Sequence, residues 1–133
     1  MQLDNALYAL VQIAHNFGAL AAVGLPLAAL RGADDAAWPR KTYLFTSVAW
    51  IVQIASGVGF GLVSCFVVGE TPQISGLAFD ALVVKIACAA LSIGLTGLLL
   101  GKRGFVSDRT GLTVLGGLGA TALFSAAILR WFS

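Results

Sequence analysis

Charge is scarce in this chain. Eight Lys and Arg and six Asp and Glu make up 11% of its 133 residues, where a soluble globular domain carries about a quarter, and that excludes a fold solvated on all sides by water. The formal net charge of +2 is too small, and too confined to short loops, for a nucleic-acid surface, so no nucleic-acid partner is expected. Histidine and methionine occur once each and cysteine twice. Cys65 and Cys88 both stand in apolar runs, and neither has a second thiol or a histidine at a metal-binding spacing. Both are read as small buried hydrophobes. Proline is rare too, with three residues, and the sixteen glycines lie inside apolar runs, where transmembrane helices tolerate them.

What is abundant is apolar. Hydrophobic residues make up 59% of the chain and the mean hydropathy is +0.93. A spanning helix needs roughly 20 mainly apolar residues, and four such stretches occur, at about 6–30, 43–68, 77–101 and 110–130. The fold expected is all-α: a single domain of four transmembrane helices in a compact bundle, with the lipid bilayer as its main partner. A β-barrel is disfavoured because the runs do not alternate with period two. The N-terminus, "MQLDNALYAL", is acidic and runs directly into the first span, unlike a cleavable leader, so the first helix is expected to be retained.

The breaks are short and polar. "RGADDAAWPRK" carries Trp38 and Pro39, "GETPQIS" carries Pro72, and "GKRGFVSDR" sets two glycines among charges. Arg31, Arg40, Lys41, Lys102, Arg103 and Arg109, six of the eight basic residues, fall in the first and third breaks. The excess of Lys and Arg in cytoplasmic loops therefore predicts that both termini and the second loop lie on the non-cytoplasmic side. Tyr8, Tyr43, Trp38 and Trp131 fall near span ends, where amphipathic rings anchor at the headgroups. Gly57-x-x-x-Gly61, Gly97-x-x-x-Gly101 and Gly116-x-x-x-Ala120 each offer a flat strip for close helix approach, within the bundle or against another subunit.

Two ionisable residues interrupt the apolar runs. His15 lies nine residues into the first span, roughly 14 Å deep at 1.5 Å per residue. Gln12, His15, Asn16 and Ala19 fall at i, i+3, i+4 and i+7, on one helix face. Lys85 lies eight residues into the third span from the same side, about 12 Å deep. The two are therefore at nearly one level, on helices running the same way. A lysine at the membrane centre costs about 2.5–3.5 kcal/mol on insertion scales and normally faces the bundle interior or a cavity. Lys85 can instead snorkel toward Asp80, although five residues of separation, about 140° around the helix, suit that pair poorly. His15 can equally serve as interhelical glue. Gln53 and Ser56, one turn apart on the second span, are read as an interhelical hydrogen-bonding patch.

The stretches "AHNFGALAAVGLPLAAL", "VQIASGVGFGL" and "LVVKIACAALSIGLTGLLL" resemble, over about residues 8–103, the four-helix module shared by copper-resistance D membrane proteins and HemJ-type protoporphyrinogen oxidases. The resemblance implies a b-type haem associated with the first-helix His and third-helix Lys, here His15 and Lys85. His15 would be the metal ligand, Lys85 a ligand or propionate partner, and Gln12 and Asn16 would orient the imidazole. A haem iron needs as few as one protein ligand; a second histidine would have to come from another chain. The fourth helix, "GLTVLGGLGATALFSAAILRWFS", departs from the Asn-Glu and Pro pattern of those oxidases, and no enzyme motif with a nucleophile and base is present.

The expected function is thus haem b binding at an intramembrane His/Lys site, in electron transfer or porphyrin-linked redox chemistry, in a bacterial inner membrane. The first alternative is a non-catalytic or accessory subunit of a larger membrane complex, with partner subunits or further copies of the chain on its glycine-lined faces. The second is copper or solute passage, for which the Cys88, Ser92 and Thr96 strip is the only polar line on the third span and one His with one Met is a thin ligand supply.

Overall fold

The computed structural model describes residues 2–32, 37–69, 74, 76–102 and 104–132. Pro72 and Arg103, used above as a loop breaker and as part of the basic count, lie outside the described residues. Four long α-helices dominate: α1 (Gln2–Ala29), α2 (Ala37–Val63), α3 (Leu77–Gly101) and α4 (Asp108–Phe132). All four are long and apolar enough to cross a membrane. The described residues contain no strand.

The helix ends follow from local chemistry. α2 begins at Ala37, well before the apolar run itself, because Pro39 falls in its first turn, where a missing N–H costs nothing and the fixed φ is already helical. Thr42 Oγ1 ties that turn by donating to the Trp38 carbonyl at 3.1 Å. At its far end α2 widens into a π turn, Ser64–Val68, closed by Gly69 at φ 80°, a left-handed conformation that glycine adopts freely. α4 opens with Ser107 accepting from the Thr110 N–H at 3.2 Å, an N-terminal cap.

α1 packs on α2 and α4, and α3 on α4 and α2. The helices form a ring of antiparallel neighbours, with α1 diagonal to α3. One end of the bundle carries the two chain termini (the terminal end); the other carries the α1–α2 and α3–α4 connections (the loop end). At the loop end the core is Ala29, Tyr43, Leu99, Leu112 and Leu115. In the middle it is Ala22, Ala49, Trp50, Cys88, Ala89 and Ala122. Large apolar side chains such as Phe17 and Phe124, each 70% exposed, point outward while Thr46, Gln53, Ser56, Ser92 and Thr96 are buried. Polar inside and apolar outside is the arrangement a lipid solvent selects.

Several sequence expectations need correction. Tyr43 is 3% exposed and does not anchor at a headgroup: its hydroxyl donates to Asp108 Oδ1 at 2.8 Å, across to α4. Tyr8 likewise turns inward, bonding Ser64 Oγ at 2.8 Å. In both cases the phenol finds a partner within the bundle, which a span-end position cannot reveal. Only Trp38 and Trp131 face outward, 50% and 84% exposed. Cys88 is buried, whereas Cys65 is exposed, because it sits on the π turn beyond the packed part of α2.

The glycine strips also divide. A Cβ at Gly57, Gly61, Gly97 or Gly101 would meet nothing within 4 Å, so those pairs hold no helix together within the chain. Gly116 does pack, its virtual Cβ falling 2.8 Å from Leu27 Cδ2. The tightest backbone approach is at Gly119, where a Cβ would stand 3.0 Å from the Ala22 carbonyl oxygen. Pro26, four residues on, has no N–H to give that carbonyl, and α4 closes over the spot with a residue that has no side chain.

Candidate functional site

The terminal end is hollow. A cleft of about 1020 Å³ opens between all four helices, at the upper end of the range of small-molecule sites. From α1 it is lined by Tyr8, Gln12, His15, Asn16 and Ala19, with Ala22 and Val23 deeper in. α2 gives Gln53, Gly57, Phe60, Gly61 and Ser64; α3 gives Leu82 and Lys85; α4 gives Gly119, Ala122, Leu123, Ala126, Ala127, Leu129 and Arg130. The wall is mostly apolar and rich in Gly and Ala, which leaves the space open. The titratable side chains on it are His15, Lys85, Arg130 and Tyr8; no carboxylate lines it among the described residues.

His15 and Lys85 meet across the diagonal of the bundle, Lys85 Nζ lying 3.0 Å from His15 Nε2. Lys85 thus reaches inward to the imidazole and not along its own helix toward Asp80. His15 Nδ1 is 2.7 Å from Ser56 Oγ, and Ser56 Oγ is in turn 2.6 Å from the Val52 carbonyl. The direction of this chain follows from counting protons. A serine hydroxyl has one proton, and a carbonyl can only accept, so Ser56 donates to Val52 and accepts from His15 Nδ1–H. The Nε2 atom then carries a lone pair, which faces the cleft and accepts from the Lys85 amine.

The ring is braced on other sides as well. Phe60 meets it edge-on, with centroids 5.5 Å apart. Gln53, 6% exposed, donates from Nε2 to the His15 backbone carbonyl. Gly18 admits that contact: a Cβ there would lie 2.9 Å from the Gln53 amide nitrogen. Gln53 and Ser56 do form the expected interhelical bonds, and both of them end on His15.

Gln12 and Asn16 line the cleft, and among the described residues the hydrogen bonds of the imidazole are made with Ser56 and Lys85 and not with them. Gln12 Nε2 donates to Asn16 Oδ1 at 2.8 Å, the local i, i+4 pairing that one helix face favours. The residue that orients the ring is Ser56, on the neighbouring helix. Its signal in the sequence is a serine in an apolar run, one turn from a glutamine, at a position that only the α1–α2 register brings opposite His15.

Ser56→Ala is expected to free the ring about χ2 and to weaken any ligand held by Nε2 by about 10- to 100-fold, the usual cost of losing a group that orients a ligating histidine. Titration of the purified variant with that ligand measures it; unchanged affinity would show that Phe60 and Lys85 alone fix the imidazole.

The fold and site define a polytopic four-helix bundle of membrane-spanning length with a His–Lys pair inside a basic, mostly apolar cleft. No family model matches the chain, and neither a curated protein nor a solved structure does.

Proposed function

We propose that this is a small integral membrane protein of the bacterial inner membrane, with both termini on the non-cytoplasmic side, that binds haem b in the cleft and serves electron transfer or porphyrin-linked redox chemistry. The observation carrying this reading is the His15 Nε2 lone pair, held by Ser56 and aimed into a cleft large enough for a flat macrocycle. A single protein ligand suffices for a haem iron. The residues fit the group: His15 would ligate the iron, and Lys85 would be a second ligand or hold a propionate carboxylate. The bound haem would supply a one-electron redox couple, while the chain's own groups set the imidazole's orientation and keep bulk water from the deep part of the cleft.

Copper passage is the weaker reading. It requires a succession of soft or imidazole ligands, and among the described residues no group of three or more His, Cys, Asp or Glu side chains comes together.

An accessory-subunit role gains support from one feature. Gly94, Gly97 and Gly101 lie on one outward face of α3 with nothing within 4 Å of a Cβ at any of them, a surface on which another transmembrane helix can pack closely. The two readings part in one experiment. Protein purified in detergent from haem-replete cells is expected to show a Soret band and a stoichiometric pyridine haemochrome. A colourless protein that takes up no added haem, and that always elutes with the same larger partners, would replace the haem reading with the subunit reading.

A further inference from the structure

Most hydroxyls buried in this bundle end on their own helix. Thr42, Ser56, Thr96 and Ser125 each donate to the carbonyl four residues earlier, at 2.6–3.1 Å, the usual way of satisfying a hydroxyl where no water is at hand. Thr46 and Ser92 depart from that pattern. Their oxygens, together with Trp50 Nε1, meet no hydrogen-bond partner among the described residues, although Thr46 and Ser92 are 0% and Trp50 2% exposed.

These three groups fall at neighbouring levels of α2 and α3, two helices that pack on each other. Trp50 packs in one cluster with Cys88, and Tyr43 in the next with Leu99. Between those two levels α2 carries Thr46 and α3 carries Ser92 and Thr96. The region is directly beneath the cleft, since Ala22 and Ala122 both line the cleft and belong to the Trp50 cluster. On its other side stands Tyr43, bonded to Asp108 at the loop end.

A buried polar group without a partner is rare, and water is its common partner inside proteins. Two hydroxyls that donate and accept and one indole N–H that donates meet the two to four contacts that a buried water needs. We propose that Thr46, Trp50 and Ser92 bind water at the centre of the bundle, and that this water relays protons between the Tyr43–Asp108 pair at the loop end and the Lys85–His15 pair in the cleft. The relay needs no oxidant or reductant. A proton arriving on the Tyr43 oxygen from water sends the phenolic proton to the Asp108 carboxylate, and the reverse sequence returns it. At the other end the Lys85 amine takes a proton from the water chain and passes one to His15 Nε2. Ser92 and Lys85 are seven residues apart, roughly 10 Å along the axis, so more than one water joins them, past the Cys88 thiol. The inference stands whether or not the cleft holds haem.

The test uses the full chain reconstituted in phosphatidylcholine vesicles with trapped pyranine and a valinomycin-imposed potassium potential. Proton influx is expected well above that of empty vesicles. It should fall to the empty-vesicle level in the Thr46→Val, Ser92→Ala double variant and persist in Thr46→Ser, which keeps the hydroxyl and guards against a folding artefact. Wild-type influx no greater than that of empty vesicles, or influx untouched by the double variant, overturns the relay. Hydration is read separately from the indole N–H of Trp50 in a nitrogen-15 spectrum, assigned by Trp50→Phe. Rapid exchange with water is expected; protection lasting hours in deuterated water overturns the bound water.

Discussion

In His15→Ala protein purified from haem-replete cells, the Soret absorption is expected to vanish while the helical circular dichroism is retained. The chain has one histidine, so no neighbouring imidazole on the same chain can take over the iron, and loss of binding should be complete. The side chain is half-buried in a cleft wall and contributes no packing to either core cluster, so the bundle should survive its truncation. Imidazole added to the buffer is expected to restore part of the band, because the cleft stays open where the ring was. Lys85→Met tests the pair. If the amine and imidazole act as a unit, as residues in contact can, Lys85→Met alone will also lose most of the band, whereas a band of wild-type strength in Lys85→Met would show that the amine takes no part in holding the iron. A Soret band that survives His15→Ala would mean that the iron is held elsewhere, and the haem reading would fall with it.

The second large effect is structural. Gly119→Val is expected to destabilise the bundle by about 1–3 kcal/mol, the usual range for overpacking a tight contact. Any Cβ at this position meets the Ala22 carbonyl oxygen at 3.0 Å and the Val23 Cα at 3.3 Å. These are backbone atoms of α1 that cannot rotate aside, so α1 and α4 must move apart. Gly97→Val is the matched control: it places a Cβ where nothing stands within 4 Å and should change stability little beyond helix propensity. Unfolding of the two variants in detergent by heat or denaturant compares them directly. Equal stabilities would show that the α1–α4 contact is looser than the structure has it.

The four-helix architecture is legible in the sequence because a membrane solvent makes hydropathy nearly sufficient: backbone groups that cannot bond to water must bond within a helix. The common level of His15 and Lys85 is legible for a related reason, since depth is arithmetic on a fixed rise per residue. What such arithmetic leaves out is rotation and register between helices. Ser56 and Gln53 belong to His15 only because α2 runs beside α1 at one particular offset, and no periodicity within either helix states that offset. Gln12 and Asn16 show the converse, sharing the histidine's face yet satisfying each other. Glycine spacing is a poor guide here for the same reason. Gly57 and Gly61 form a regular motif and line an open cleft, while Gly119, which belongs to no expected strip, is where two backbones come closest.

The hairpin of α1 and α2 is fastened to that of α3 and α4 unequally along its length. At the loop end Arg40 reaches the Leu100 carbonyl and Tyr43 reaches Asp108, whereas toward the termini the side-chain bond joining the halves, among the described residues, is Lys85 to His15. A guest that displaces the amine from the imidazole therefore also removes that bond, and leaves the halves joined there by packing alone, with α1 and α4 held closest at Gly119.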